Sequence, residues 1–237
     1  MNKKAEIIPA ILPVDFNELE DKVSYIVGQA KMVQIDICDG QFTPSASWPY
    51  KKHDDSFDKI VKEEIGMPAW EKIDYEFDLM VNHPEKVVAD WLSAGASRII
   101  IHAESKGDII KAIEMLQGGA EVGLALNEDT PLSVIGEIRS KTSEGSLQFI
   151  QLMGIDRIGF QGQEFDDRVI SKIKEAKKAH PHLLVSVDGG VSLENAERLI
   201  EAGADRLVVG SAIFGSENII EALAEFKELI GRSDLQI

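Results

Sequence analysis

Short apolar runs rich in Ile, Val and Leu recur along the chain, and longer stretches with polar residues at helical spacing separate them. Eight of the runs read as strands: Ile7–Leu12, Met32–Ile37, Tyr75–Met80, Arg98–His102, Glu121–Leu126, Leu147–Met153, Leu183–Val187 and Arg206–Val209. Strands covered on both faces are expected to be apolar on both, as most of these are. Between them, Pro84–Ala94, Gly107–Leu116, Asp166–Ala179, Ser192–Ala202 and Asn218–Ile230 read as helices. Ser192 with Asn195 marks a helix start, and Gly95 and Gly203, each between alanines, mark stops. Eight strands alternating with helices predict an α/β fold, a closed (β/α)8 barrel in a single domain over residues 1–237. The irregular stretch Gln41–Lys72, with Pro44, Pro49, Pro68 and the charged run Lys51–Asp55, predicts a long loop followed by a poorly formed helix.

Polar residues inside these strands are the informative ones. Gln34 and Asp36 share one parity of the second strand, while Val33, Ile35 and Ile37 share the other. The apolar set should face the helices, which turns Gln34 and Asp36 into the barrel. The same reading turns Glu76 and Asp78 inward on the third strand, and Ser186 and Asp188 on the seventh. Unpaired carboxylates converging in one place repel one another and hold a proton, a conflict that a bound cation removes. They fall toward the C-terminal face, where barrel active sites lie. Gly189–Gly190 and Gly210–Ser211 follow the last two strands, where bare backbone can approach a phosphate.

Composition narrows the partners. A chain of 237 residues with 44% hydrophobic and 28% charged residues supports one sizeable core. A net charge of −16 argues against nucleic acid or an anionic membrane as partner, because those surfaces repel it. A phosphorylated small molecule stays open, since backbone N–H groups can hold phosphate without lysine. One cysteine excludes an internal disulfide and a zinc cluster of cysteines. No apolar run reaches the roughly 18 residues of a membrane span, and no signal-peptide pattern is present, so a cytoplasmic location is expected.

From Ile7 to about Ile230 the chain resembles the ribulose-phosphate 3-epimerase family. The resemblance rests on Pro9–Leu12 with Asp15-Phe16, on Asp36–Phe42, on Asp78–Val81 with Pro84-Glu85, and on His102–Glu104. It continues through Val122–Ala125, Gly159–Gln163, Val187–Gly190 and Gly210–Ile213. It implies a small phosphorylated sugar as substrate, inverted at C3 of a phosphorylated ketose such as ribulose 5-phosphate. Asp36 and Asp188 match the acid/base pair, and a divalent metal steadies the enediolate. Gly159, Phe160, Gln161 and Gly162 match the substrate lid, while Gly189, Gly190, Gly210 and Ser211 match the phosphate grip. Ala10, Cys38, Met80 and His102 are expected around the pocket. Cys38 reads as a small buried side chain rather than a redox group, and His102 as a hydrogen-bonded core histidine or a replacement ligand. Homo-oligomers are common in the family.

The departures are specific. Gln34 and Asp78 stand where the family's metal site has two histidines, and Ala10 replaces a substrate-contacting serine. The lid has Ile158 in place of proline, Gln161 in place of glycine and an extra residue near Asp156–Arg157. The loop Thr43–Glu71 is longer than the family's. Two readings follow. In one, Gln34, Asp36, Asp78 and Asp188 form an all-oxygen site suited to Mg²⁺ or Mn²⁺ rather than Zn²⁺ or Fe²⁺. In the other, metal and epimerase activity are lost, and the barrel binds a phosphosugar or serves another reaction on one. The persistence of both acid/base candidates favours the first.

Overall fold

The computed structural model describes residues 5–52 and 54–232, so the signal-peptide reading of the N-terminus lies largely outside the described residues. Eight strands close a parallel barrel in chain order, each hydrogen-bonded to the next and the last to the first. They are β1 (Glu6–Ile11), β2 (Met32–Cys38), β3 (Asp74–Met80), β4 (Ala96–His102), β5 (Glu121–Leu126), β6 (Phe149–Met153), β7 (Leu184–Asp188) and β8 (Arg206–Val209). All eight fall on the runs expected from the sequence, with no end shifted by more than two residues. Around them lie α1 (Phe16–Ile26), α2 (Ser56–Val61), α3 (Val88–Ser93), α4 (Ile109–Met115), α5 (Ser133–Arg139), α6 (Arg168–Ala179), α7 (Leu193–Ala202), α8 (Ser211–Phe214) and α9 (Ile219–Arg232). No helix among the described residues is long and apolar enough to cross a membrane.

Local chemistry explains several helix limits. Asp15 caps α1 by accepting from the Glu18 N–H at 3.0 Å, and Glu18 reaches back to the Val14 N–H at 2.6 Å. Ser192 and Asn195 form a reciprocal capping box on α7, which ends at Gly203 with φ +113°. Both ends match the sequence reading. The stretch Pro84–Ala94 divides into a 3₁₀ turn, Pro84–Lys86, and the short α3. Helices α1, α5 and α8 were not among those expected. The last two are only seven and four residues long, and packing rather than a long apolar stripe defines them.

The main core lies between the barrel's outer face and the helices, where Ile35, Ile37, Phe77, Leu79, Val185 and Val187 are fully buried. Inside the barrel the residues of opposite parity stack in layers. At the N-terminal end Arg98 meets Glu6, Glu76 and Glu121 at 3.1–3.4 Å, and Arg206 meets Glu6 and Glu121 at 3.4 and 3.2 Å. The Arg206 guanidinium also lies 4.6 Å from the centre of the Phe149 ring. Gly123 makes room for that ring, since a Cβ there would sit 2.3 Å from it.

The stretch after β2 is more ordered than its composition suggests. It contains the six-residue α2, and ahead of that helix Trp48 anchors the loop as a fully buried side chain. The indole packs within 5.6–5.9 Å of Phe16, Phe57 and Trp91, and its N–H donates to Ser56 Oγ at 2.8 Å. The loop also folds back on the end of β2. Ser47 Oγ accepts from the Cys38 N–H at 2.9 Å and donates to the Asp36 carbonyl at 2.8 Å. Trp48→Ala should destabilise the protein by about 3–5 kcal/mol, read as a lower denaturant midpoint with an unchanged slope.

Candidate active site

The inward parity of β2, β3 and β7 brings the three expected acids together. Asp36, Asp78 and Asp188 each offer an oxygen, and these oxygens lie within 4.8 Å of one another. Gln34 Nε2 donates to Asp36 Oδ1 and to Asp188 Oδ2, both at 2.8 Å. Its Oε1 is buried and meets no donor. Two further side chains complete the network. His102 Nε2 lies 3.0 Å from Asp78 Oδ1, and Gln151 Nε2, on β6, lies 3.1 Å from Asp78 Oδ2 and 3.2 Å from Asp188 Oδ2.

Burial and mutual repulsion set the charge state. Loss of water, then the neighbouring Asp188 and Asp78, pushes Asp36 well above the ordinary carboxylate range. Loss of water, then Asp78, carries Asp188 up to about 7. Burial alone would push His102 down, but Asp78 at Nε2 and Glu104, 3.8 Å from Nδ1, outweigh it and carry the imidazole up to about 10. His102 is therefore an imidazolium at neutral pH, packed beneath Phe42 with ring centres 5.1 Å apart.

A cavity opens above this network at the C-terminal ends of the strands. Asp36 and Asp188 line it, together with Ala10, Met80, Met153, the segment Gly159–Gln163 and the turns Gly189–Gly190 and Gly210–Ser211. The turn after β7 depends on its glycines. Gly189 and Gly190 have φ +102° and +66°, and added Cβ atoms would lie 2.6 Å from Ile155 and 2.8 Å from Phe165. Asn195 braces the turn by donating to the Gly190 carbonyl at 2.9 Å. Ser211 opens α8, whose first N–H groups have no partner within the helix.

The lid segment joins the rest at named points. The Gly154 N–H donates to the Asp188 carbonyl at 2.7 Å, and Ser45 Oγ, from the loop after β2, donates to the Gly159 carbonyl. Gln161 Nε2 lies 3.5 Å from the Ala10 carbonyl, which places the lid's departure from glycine beside Ala10. Cys38 and His102 do not line the cavity. Both are fully buried below it, with Cys38 Sγ 3.9 Å from Met80 Sδ and its thiol pushed by burial up to about 12. Gln34 and Asp78 are also fully buried and outside the cavity lining, but Gln34 bonds Asp36 and Asp188 directly and an Asp78 oxygen lies within 4.8 Å of theirs.

Gln151 was missed in the sequence. Its signal was the one that exposed Gln34: a polar residue in an apolar strand, here with the parity of Phe149 and Met153.

Residues 6–214 match the ribulose-phosphate 3-epimerase family. The chain belongs to that family. A ribulose-phosphate 3-epimerase of Bacillus subtilis (strain 168) is 31% identical over 94% of this chain and 98% of its own length. One of Aquifex aeolicus (strain VF5) is 29% identical over 94% and 96%. Among solved structures, 3-hexulose-6-phosphate synthase from Salmonella typhimurium superposes with a TM-score of 0.69 at 13% identity, covering 96% of this chain and 99% of that one. At that identity it shares the fold. Family membership makes this barrel an enzyme of the epimerase class, and the three acids are a set that could hold a divalent metal.

The charge states carry a pH dependence. Between about pH 4 and 7 the folded protein holds a proton on Asp188 that the unfolded chain, with an ordinary value of 3.8, releases. Stability therefore falls as pH rises through that window. His102 adds stability that is full below its ordinary 6.5 and is lost as pH rises toward about 10. In EDTA, denaturant midpoints should drop across both windows. Asp188→Asn should make the lower one shallower, where the raised Asp36 and Glu76 also contribute, and His102→Gln should flatten the upper one, whereas a wild-type profile flat from pH 4 to 10 would contradict these assignments.

Proposed function

We propose that this enzyme inverts C3 of a phosphorylated ketose such as ribulose 5-phosphate, with Asp36 and Asp188 as its acid/base pair. The observation that carries the reading is their placement. The two carboxylates come from β2 and β7, line one cavity, and are both shifted above the ordinary carboxylate range, Asp188 to about 7. Inversion by proton transfer needs one group ionised and the other protonated, on opposite faces of the carbon. One Asp takes the C3 proton and leaves an enediolate, and the protonated Asp returns a proton from the other side. The reverse reaction exchanges their roles.

The substrate phosphate is assigned to the backbone N–H groups of Gly190, Gly210 and Ser211, under the lid residues Gly159–Gly162. This suits an acidic protein whose cavity lining, among the described residues, includes no lysine or arginine.

The residues fit a hard divalent cation. Three carboxylates within 4.8 Å and the partnerless Gln34 Oε1, which a rotation of the carboxamide would turn toward them, form an all-oxygen donor set. We assign Gln34, Asp36, Asp78 and Asp188 as ligands, with Mg²⁺ or Mn²⁺ preferred to Zn²⁺ or Fe²⁺. When bound there, the cation supplies positive charge beside the substrate oxygens.

Proton NMR of ribulose 5-phosphate in D₂O tests the reaction. Wild type should introduce deuterium at C3, and Asp36→Asn and Asp188→Asn should each lose net inversion by at least about a hundredfold. Either variant can retain one-sided exchange. No exchange on any pentulose or hexulose phosphate, with Mg²⁺ or Mn²⁺ present, would replace this reading with a barrel that only binds phosphosugar.

A thermal shift series tests the cation. Saturating Mg²⁺ or Mn²⁺ at 100 times Kd should stabilise wild type by about 2.7 kcal/mol, and Asp78→Ala should abolish the effect. Stoichiometric zinc that resists exchange would contradict the hard-ion assignment.

A further inference from the structure

We propose that Gln151 is a positioning residue of the cation site, holding Asp78 and Asp188 side by side from β6. The inference rests on the cation reading given above. Asp78 and Asp188 come from β3 and β7, which are separated by three strands around the ring, so no local backbone geometry ties them to each other. The Gln151 carboxamide supplies the tie. Its Nε2 donates to Oδ2 of both acids, at 3.1 and 3.2 Å.

The rest of the network leaves this task to Gln151. Gln34 spans Asp36 and Asp188, and His102 holds the other oxygen of Asp78. Without Gln151, Asp78 would be joined to His102 alone and would face Asp188 across the barrel as an unrestrained like charge. Carboxylates that bind a cation need such hydrogen bonds to fix their direction.

The fold itself does not call for an amide at this position. Gln151 is fully buried, and its Oε1 meets no donor. Ser186, its register partner on β7, also has a buried hydroxyl without a partner. Buried polar atoms left in this state are unfavourable, and an apolar side chain would suit a position whose register neighbour on β5 is the buried Ala125. What the carboxamide adds is its pair of N–H donors, and both point at acids.

Titration with Mn²⁺, following the free aquo-ion by electron paramagnetic resonance, tests the inference on wild type, Gln151→Met and Gln151→Leu. The Met variant keeps the length of the side chain and removes its donors. Leu serves if Met does not melt cooperatively. The expected result is Mn²⁺ binding at least about tenfold weaker than wild type in a variant that still unfolds cooperatively. A packing role alone would lower the melting temperature equally with and without Mn²⁺ and leave the affinity unchanged, and that outcome overturns the inference. If wild type binds neither Mn²⁺ nor Mg²⁺, the cation reading itself has failed and this inference falls with it.

Discussion

Three carboxylates converge inside the upper end of a closed barrel, and every other feature of the site answers the repulsion this creates. Asp36, Asp78 and Asp188 bring oxygens within 4.8 Å of one another in a setting largely removed from water. The structure meets that conflict with the Gln34 and Gln151 carboxamides, the His102 imidazolium and retained protons. The same pressure that raises Asp36 and Asp188 above the ordinary carboxylate range suits them to proton transfer. It also makes the cluster receptive to a cation. A single environment therefore sets both the acid/base and the metal-binding character of the site.

The barrel makes this concentration of charge tolerable. Each acid is held on a strand, and the strands are fixed by a closed ladder and an outer layer of buried Ile, Val, Leu and aromatic side chains. The opposite end carries its own charges, but there Arg98 and Arg206 meet Glu6, Glu76 and Glu121 directly. Asymmetry between the ends distinguishes them. Below, three acids share two arginines at ion-pair distance. Above, no arginine or lysine among the described residues lines the cavity, and the acids keep the lone pairs that chemistry or a cation requires.

Much of this was legible in the sequence, and for a physical reason. A strand covered on both faces has few uses for polar residues, so Gln34, Asp36, Asp78 and Asp188 stood out by parity alone. The Gly189–Gly190 pair after β7 was legible because φ values of +102° and +66° exclude most other residues. What could not be read locally depends on tertiary contact. The loop after β2 looked irregular because its order comes from Trp48 meeting Phe57 and Trp91, the latter some forty positions away. His102 was expected near the pocket as a hydrogen-bonded core histidine or a replacement ligand, and it is a buried histidine whose partners, Asp78 on the neighbouring strand and Glu104, appear only in the fold. Gln151 carried the same parity signal as Gln34 but stood alone in its strand, and its meaning appears only when β3 and β7 are placed beside it.

The central claim is that the cluster holds protons when free of cation and gives them up when one binds. The most direct measurement is the number of protons released per Mn²⁺ bound, followed by pH-stat titration at pH 6. Asp188, raised to about 7, is then mostly protonated in the cation-free protein and must ionise to serve as a ligand. The account predicts release of at least about one proton per ion, because Asp36 is raised as well, falling as the pH is raised above 7 and diminished in Asp188→Asn. Cation binding with no proton release at pH 6 would contradict it.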